Sequence, residues 1–405
     1  MYLSRLSLIN FRNYTRLSLD MPRRIMVLQG ANAQGKTNVL EAIYYLAASK
    51  SPYASSDTQL VNWLAEQDDL PHARVEAEVV RGDTVTRIEI ILTRNGNGQS
   101  RYRKHIRING APKRVMDLLG VVNIVLFIPQ DMSLIDGAPA GRRKYLDAML
   151  CQIEPRYCRA LSQYNKVLEQ RNSLLRQLRE RGGSPDQLDF WDDQLTTAGA
   201  EIIARRQQTI VDLEALAQPV HETLSEGQER LRLRYVPSFD PRQPEPNGLQ
   251  LLPGLNLPPP ISIPQEAEPT REAFLTRLQS QRREETQRGL TLSGPHRDDL
   301  RFLNGQIDLQ TYGSRGQQRT AVLALKLAEV DLMARITGEQ PILLLDEVMS
   351  ELDADRRKYL CDRLNQVEQS LITTTDLNAL TAEVRQNATL YAVSQGHLKQ
   401  LTEEG

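Results

Sequence analysis

The sequence predicts an α/β protein, with mixed β-sheets built around a phosphate-binding loop and split by a long helical insertion. Three observations carry that expectation. The apolar run Ile25–Leu28 stops at Gly30, and helix-periodic text begins at about Thr37, the strand–loop–helix order that a phosphate-binding loop needs. A second apolar run, Ile342–Leu345, ends in the acids Asp346 and Glu347. Residues 73–110 alternate as strands do, whereas residues from 141 to about 181 are rich in Leu, Arg and Gln at helical spacing.

The chain has 405 residues, which at about 100–200 residues per domain means two domains or three. It is 40% hydrophobic and 25% charged, ordinary for a globular protein. Lys and Arg number 50 against 51 Asp and Glu, a net charge of −1, which excludes a uniformly basic coat for nucleic acid but not a local basic patch. No run reaches the roughly 18–20 apolar residues of a membrane span. The N-terminal text alternates polar and apolar residues, unlike a signal peptide. Cys151, Cys158 and Cys361 are too few and too scattered for a disulfide framework or a zinc site. The expected location is cytoplasmic.

Within 1–28, Leu3, Leu6, Leu8 and Phe11 mark one strand, and Ile25-Met-Val-Leu28 a second, of the kind buried on both faces. Val39, Leu40, Ile43, Tyr44, Leu46 and Ala47 lay out a helix. Strand text follows at 75–80 and 85–92, with Asn95-Gly96 and Asn109-Gly110 as hairpin turns. Residues 1–140 are thus expected to form the first part of a nucleotide-binding head. From Gly141 to about Arg181 the text is helical. Gly182-Gly183-Ser184-Pro185 breaks it, and a second helix is expected from about Asp186 to Leu231. Two long antiparallel helices make an αα-hairpin, either an arm or a packed lobe, over 141–288. Residues 236–270 are dense in proline, including Pro258-Pro-Pro260, and can continue neither a helix nor a central strand. A helix over Arg271–Gln287 precedes strands near Leu290 and over Leu300–Leu309, with Asn304-Gly305 as a turn. Helices over Gln317–Ala334 and Asp353–Val367 and strands at Ile342–Leu345, Leu371–Thr374 and Leu390–Val393 complete the head over 289–405.

Gly30-Ala31-Asn32-Ala33-Gln34-Gly35-Lys36-Thr37 is a complete G-x-x-x-x-G-K-[ST] string, followed by Asn38. Its glycines let successive backbone N–H groups turn towards phosphate, and the helix that begins there adds its dipole. Lys36 suits the β- and γ-phosphates, and the Thr37 hydroxyl suits Mg²⁺. At the second strand end, Asp346 suits Mg²⁺ and Glu347 suits the polarisation of an attacking water. Ser314-Arg-Gly316-Gln317-Gln-Arg319 offers a second anion cradle at a helix start. One nucleotide needs one such loop, so a second makes sense as the completion of another subunit's site.

That arrangement resembles the ABC-type ATPase signature, and Ser350-Glu-Leu352-Asp353 resembles the D-loop, so Asp353 is expected near nucleotide. Asn10-Phe-Arg12-Asn13-Tyr14, Phe127-Ile-Pro129-Gln130-Asp131 with Gly141-Arg142-Arg143, and Ser293-Gly-Pro295-His296-Arg297-Asp298-Asp299 narrow the resemblance. They are similar to the RecF family of bacterial repair ATPases, within the SMC-like class. The resemblance covers almost the whole chain, in order. It implies an ABC-type ATPase head split by inserted helices, with ATP and Mg²⁺ as cofactors and Arg12 and Asn13 at the nucleotide. It also implies an ATP-dependent homodimer that clamps double-stranded DNA and junctions with single strands. Slow, DNA-stimulated hydrolysis would release the clamp, and the mediators RecR and RecO would be partners. Gln130 stands where such chains usually carry Glu, and remains suited to Mg²⁺. Thr373-Thr374-Thr375-Asp376 holds no His at the switch position, which fits slow turnover.

Between Ile90 and Met116 lie seven basic residues and no acid: Arg94, Arg101, Arg103, Lys104, Arg107, Lys113 and Arg114. On hairpin text they suggest DNA-phosphate contacts, with a solvated strand face as the bland alternative. Residues 141–183 carry ten Lys and Arg against four acids and would extend that surface. His296 sits in a loop of four polar side chains that suits either a loop facing the nucleotide or the dimer seam, or an ion-paired turn. A small-molecule kinase has no use for the Ser314 cradle, a transporter ATPase subunit carries a shorter helical insertion, and a chromosome-organising SMC protein needs longer arms.

Overall fold

The computed structural model describes residues 1–65, 71–94, 102–241 and 267–401. The turn expected at Asn95-Gly96, Arg101, and residues 242–266 of the proline-dense stretch lie outside them. The chain divides into two compact units, Met1–Asp131 with Glu329–Gly405, and Met132–Ala328.

The first unit opens with β1 (Tyr2–Phe11), β2 (Tyr14–Asp20), β3 (Ile25–Gln29) and α1 (Lys36–Ala48). It continues with β4 (His72–Arg81), β5 (Thr84–Arg94), β6 (Tyr102–Ile108), β7 (Ala111–Lys113), α2 (Val115–Leu118) and β8 (Ile124–Phe127). Residues 1–28 therefore hold three strands where two were expected. Tyr14, Leu17 and Leu19 are buried, and β2 folds back on β1 through a turn at Arg12-Asn13. Arg12 takes the left-handed conformation there, with φ 52°, so no glycine advertises the hairpin. At the end of β6 the turn does fall on Asn109-Gly110, both at positive φ.

The second unit holds α3 (Ser133–Asp136), α4 (Pro139–Ile153), α5 (Pro155–Arg181), α6 (Asp189–Leu224), β9 (Leu231–Val236), α7 (Ala267–Arg288), β10 (Asp299–Asn304), β11 (Ile307–Asp308) and α8 (Leu309–Tyr312). α9 (Arg315–Thr337) begins in it. The break between α4 and α5 falls before Pro155, which brings no N–H and starts the new helix. The αα-hairpin is there as α5 and α6, closing at Gly182 with φ 73°. The second helix stops at Leu224 rather than Leu231. Leu231, Leu233 and Tyr235 alternate into the core as β9, which pairs antiparallel with β10. The strand expected near Leu290 is a loop. The unit is stitched by buried ion pairs: Arg171 on α5 meets Asp192 on α6 at 2.7 Å and Glu285 on α7 at 2.7 Å. Two of the basic residues counted in the first helical stretch, Arg142 and Arg171, are thus interior cations, Arg142 paired with Asp299 at 2.6 Å. A buried guanidinium needs such partners, because an unpaired one costs several kcal/mol.

The chain returns to the first unit with β12 (Ile342–Asp346), α10 (Ala354–Leu364), β13 (Ser370–Thr374), α11 (Ala382–Asn387), β14 (Ala388–Ser394) and β15 (His397–Gln400). Among the described residues this unit has two six-stranded sheets, ordered β2-β1-β4-β5-β6-β7 and β15-β14-β3-β13-β12-β8. The first is antiparallel throughout. In the second, β14, β3, β13, β12 and β8 run parallel. One core joins them: Leu6, Leu8, Val75 and Ile90 of one sheet and Met26, Leu28, Leu344 and Leu371 of the other pack with Val39, Leu40 and Ile43 of α1. That parallel set explains why Ile25–Leu28 and Ile342–Leu345 are apolar without alternation, since both faces are covered.

Candidate nucleotide-binding site

The carboxyl ends of β3, β13, β12 and β8 share one edge of the parallel sheet, where α/β folds bind ligands. Register brings distant segments together there: Thr373 pairs with Leu28, and Asp346 pairs with Thr373. The Gly30–Thr37 loop leaves β3 and enters α1. Gly35 has φ 113°, and a Cβ on it would lie 2.6 Å from Asn13 Nδ2, so only glycine fits. Asn13 Nδ2 donates to Gln34 O at 3.0 Å, Asn38 Nδ2 to Asn13 Oδ1 at 2.7 Å, and the buried Tyr14 hydroxyl to Gly35 O at 3.0 Å. Gly396 N donates to Gln34 O at 3.1 Å. Asn13 and Asn38 therefore brace the loop. Ala31, Asn32 and Ala33 are exposed along it, and Ala33 takes φ 64°.

Lys36 is 4% exposed. Its Nζ donates to Gly30 O at 2.7 Å and Ala31 O at 3.0 Å, and lies 2.9 Å from Glu347 Oε1. Thr37 Oγ1 donates to Asp346 Oδ1 at 2.8 Å across 309 residues of sequence. Thr373 Oγ1 donates to the same carboxylate oxygen at 2.8 Å and accepts from Glu347 N at 2.9 Å. Glu347 itself is left-handed, with φ 55°, which turns its side chain off the strand direction. Gln130 is exposed, three residues beyond Phe127, the partner of Leu345 across β8 and β12. The hydroxyl of Thr37 and the carboxylate of Asp346 are hard oxygen donors, a set that fits Mg²⁺.

Arg12, at the β1–β2 turn, is tied to α1. Its Nε and Nη2 grip Glu41 of α1 at 2.7 and 2.6 Å, and its Nη1 donates to Gln59 O at 2.8 Å. Three of its five N–H donors are thus used inside the unit, which makes Arg12 a brace, and its side chain keeps 23% exposure. Asp353 caps α10, its Oδ1 accepting from Arg356 N at 3.0 Å. Tyr53 was missed: its hydroxyl donates to Asp346 Oδ2 at 2.7 Å, and burial together with Asp346 pushes the phenol pKa far up. Nothing in the Ser/Pro text around it signals this contact.

In the second unit, Ser314 and Gln317 form a reciprocal capping box at the start of α9. Ser314 N donates to Gln317 Oε1 at 2.9 Å, and Gln317 N donates to Ser314 Oγ at 3.2 Å. Ser314 and Gly316 are exposed. The cap uses the serine oxygen as acceptor. The Ser293–Asp299 loop is an ion-paired turn of this unit. His296 Nδ1 meets the Tyr164 hydroxyl at 2.6 Å, Asp298 accepts from Tyr235 and from Ser238 N, and Asp299 pairs with Arg142.

The basic strand β6 divides by alternation. Arg103 and Arg107 are exposed, Arg107 lying 3.4 Å from Glu89. Lys104 points inwards: its Nζ donates to Ser49 O at 2.6 Å, pairs with Asp57 at 3.1 Å and lies over the Tyr45 ring. Burial lowers its pKa. The expected DNA contact at Lys104 is corrected to an interior tie. Lys113 and Arg114 are exposed, Arg114 paired with Asp117 at 3.2 Å.

Residues 2–399 match the family described as RecF/RecN/SMC N terminal domain. "DNA replication and repair protein RecF" of Chloroflexus aurantiacus is 41% identical over 98% of this chain and 99% of its own length. That of Bacillus subtilis is 36% identical over 98% and 100%. The chain belongs to the RecF family. Among solved structures, that titled "Structure of the recombination mediator protein RecF-ATP in RecFOR pathway" superposes with a TM-score of 0.83, at 32% identity, over 99% of this chain and 98% of the other. An SMC head bound to a domain of ScpA, at 15% identity and a TM-score of 0.51, covers 100% of this chain and 98% of its own and shares the fold. RecF proteins and this chain thus share the mixed α/β head with a helical insert.

Proposed function

We propose that this chain is a DNA-repair ATPase that dimerises around ATP and Mg²⁺, holds DNA while dimeric, and lets go on slow hydrolysis. The carrying observation is the 2.8 Å contact between Thr37 and Asp346, with Lys36 and Glu347 beside it. Loop N–H groups from Gly30 to Lys36 receive the phosphates. Lys36 moves from carbonyl partners to phosphate oxygens, a stronger, charge-assisted pairing. Bound Mg²⁺ would be held by Thr37 and Asp346, with Gln130 alongside, and would neutralise charge on the β- and γ-phosphates. Glu347 accepts the proton of the attacking water. Thr374 is tied into its own strand end, its Oγ1 donating to Asp376 O at 2.8 Å, Thr373 is bonded to Asp346 and Glu347, and no His stands at this switch position, which supports slow turnover. Ser314 and Gly316 of a second copy supply the facing anion cradle, so nucleotide is the linkage that sets dimer affinity.

The RecF-ATP relative supports ATP as the nucleotide, and the pathway name it carries supports RecO and RecR as partners. Arg103, Arg107, Lys113 and Arg114 are proposed DNA contacts, with preference for duplex and its junctions with single strands. Sedimentation of wild type and Glu347→Gln, with and without ATP, Mg²⁺ and DNA, tests the reading. A monomer that becomes a dimer only with ATP and Mg²⁺, and a longer-lived dimer for Glu347→Gln, are expected. One mass under every condition would falsify the clamp.

A further inference from the structure

The geometry points to Tyr53 as a positioning residue for the Mg²⁺-facing carboxylate of Asp346, carried there by a strap that Arg12, Glu41 and Lys104 hold down. The inference rests on the nucleotide-site reading above. It begins with the segment that leaves α1. Ser49 is left-handed, with φ 52°, and turns the chain back towards the parallel sheet. Ser51 then nucleates a tight turn, its Oγ accepting from Tyr53 N at 2.9 Å and Ala54 N at 2.8 Å while its proton goes to Glu41. Glu41 is 1% exposed and is shared with Arg12. Further on, Asp57 accepts from the Tyr45 hydroxyl at 2.9 Å and pairs with Lys104 at 3.1 Å, and Lys104 also holds Ser49 O. Two cations expected at ligands, Arg12 and Lys104, are therefore the two pins of this strap.

Tyr53 lies between the pins. Its hydroxyl reaches Asp346 Oδ2 at 2.7 Å, while Thr37 and Thr373 both donate to Oδ1. The carboxylate, 5% exposed, is held at both oxygens. Rotation about the terminal bond of an aspartate is otherwise soft, and partners one step out from a metal ligand tune its affinity by fixing orientation. A phenylalanine keeps the ring and its packing but leaves Oδ2 without this donor.

The test is binding of a fluorescent ATP analogue to the full chain, in EDTA and across a Mg²⁺ titration, for wild type, Tyr53→Phe and Ser51→Ala. Tyr53→Phe is expected to match wild type in EDTA and to need about 10-fold more Mg²⁺ for the same gain in affinity. Ser51→Ala, which frees the turn but keeps the phenol, should shift the same way. An unchanged Mg²⁺ midpoint in Tyr53→Phe, or an equal loss in EDTA and in Mg²⁺, overturns the positioning role. Should Tyr53→Phe fail to fold, Ser51→Ala decides by the same two outcomes. If wild type gains no affinity from Mg²⁺, the nucleotide-site reading itself fails.

Discussion

His296 shows what burial does to one side chain of the second unit. Burial pushes its pKa from 6.5 down to about 4, and the nearby cations Arg297, Arg143 and Arg171 push the same way. Its Nδ1 meets the Tyr164 hydroxyl and its Nε2 meets Thr291 O at 3.2 Å, so Nε2–H donates and Nδ1 accepts. The folded pKa lies below the unfolded one, so the unfolded chain binds the extra proton between those values. The neutral ring's contribution is therefore complete above about pH 6.5 and is lost as pH falls towards 4, up to roughly 3 kcal/mol. Urea unfolding of wild type and His296→Gln at several pH values measures it, because other groups cancel in the difference. Wild type should lose more stability than the variant over that window, and parallel curves would refute the assignment. The sequence placed His296 among polar neighbours but left two readings open. The contact with Tyr164, 132 residues away, ties the half-buried ring into the ion-paired turn.

At the scale of elements, strands and helices differ in how plainly they announce themselves. The two arm helices were legible because a Gly-Gly-Ser-Pro break stands between two long periodic stretches. β9 was not, because its six residues stand only a short turn, residues 225–230, beyond the helix and its partner β10 lies far along the chain. In β6 the residue types were visible but not their sides. Consecutive strand residues face opposite ways, so Arg103 and Arg107 share the exposed face and Lys104 turns in. A pair of variants separates the faces. Arg103→Glu with Arg107→Glu should weaken duplex binding in a filter or anisotropy assay and leave the thermal transition near wild type. Lys104→Met should keep duplex affinity and cost about 1–2 kcal/mol of stability, the loss of its hydrogen bonds to Ser49 and Asp57. The outer sheet face around these residues mixes signs. Arg74 reaches Glu89 at 2.5 Å and also pairs with Glu76, which takes Arg87 as well. The proposed DNA contacts therefore belong to the edge at β6 and β7 rather than to the whole face.

For the whole molecule, a near-neutral chain that grips DNA must do so with few local cations, and counterion release measures how many. With about five phosphates neutralised, log K for duplex should fall with log salt at a slope near −4 to −5 in the presence of ATP and Mg²⁺. A flat dependence would remove the β6–β7 edge from the interface. The amino-acid sequence alone determined the α/β class, the glycine loop, the acid pair and the order of head, insertion and head. Each is encoded within a few neighbouring residues, by turn chemistry or by apolar period. It could not determine which cations face ligand and which face protein. Arg12, Lys104, Arg142 and Arg171 read alike in a string of letters, and each found an acid elsewhere in the chain only on folding. The reach of Tyr53 to Asp346 across 293 residues is of the same kind. A buried charge or hydroxyl must be satisfied, and its partner is chosen by packing in three dimensions rather than by spacing along the backbone.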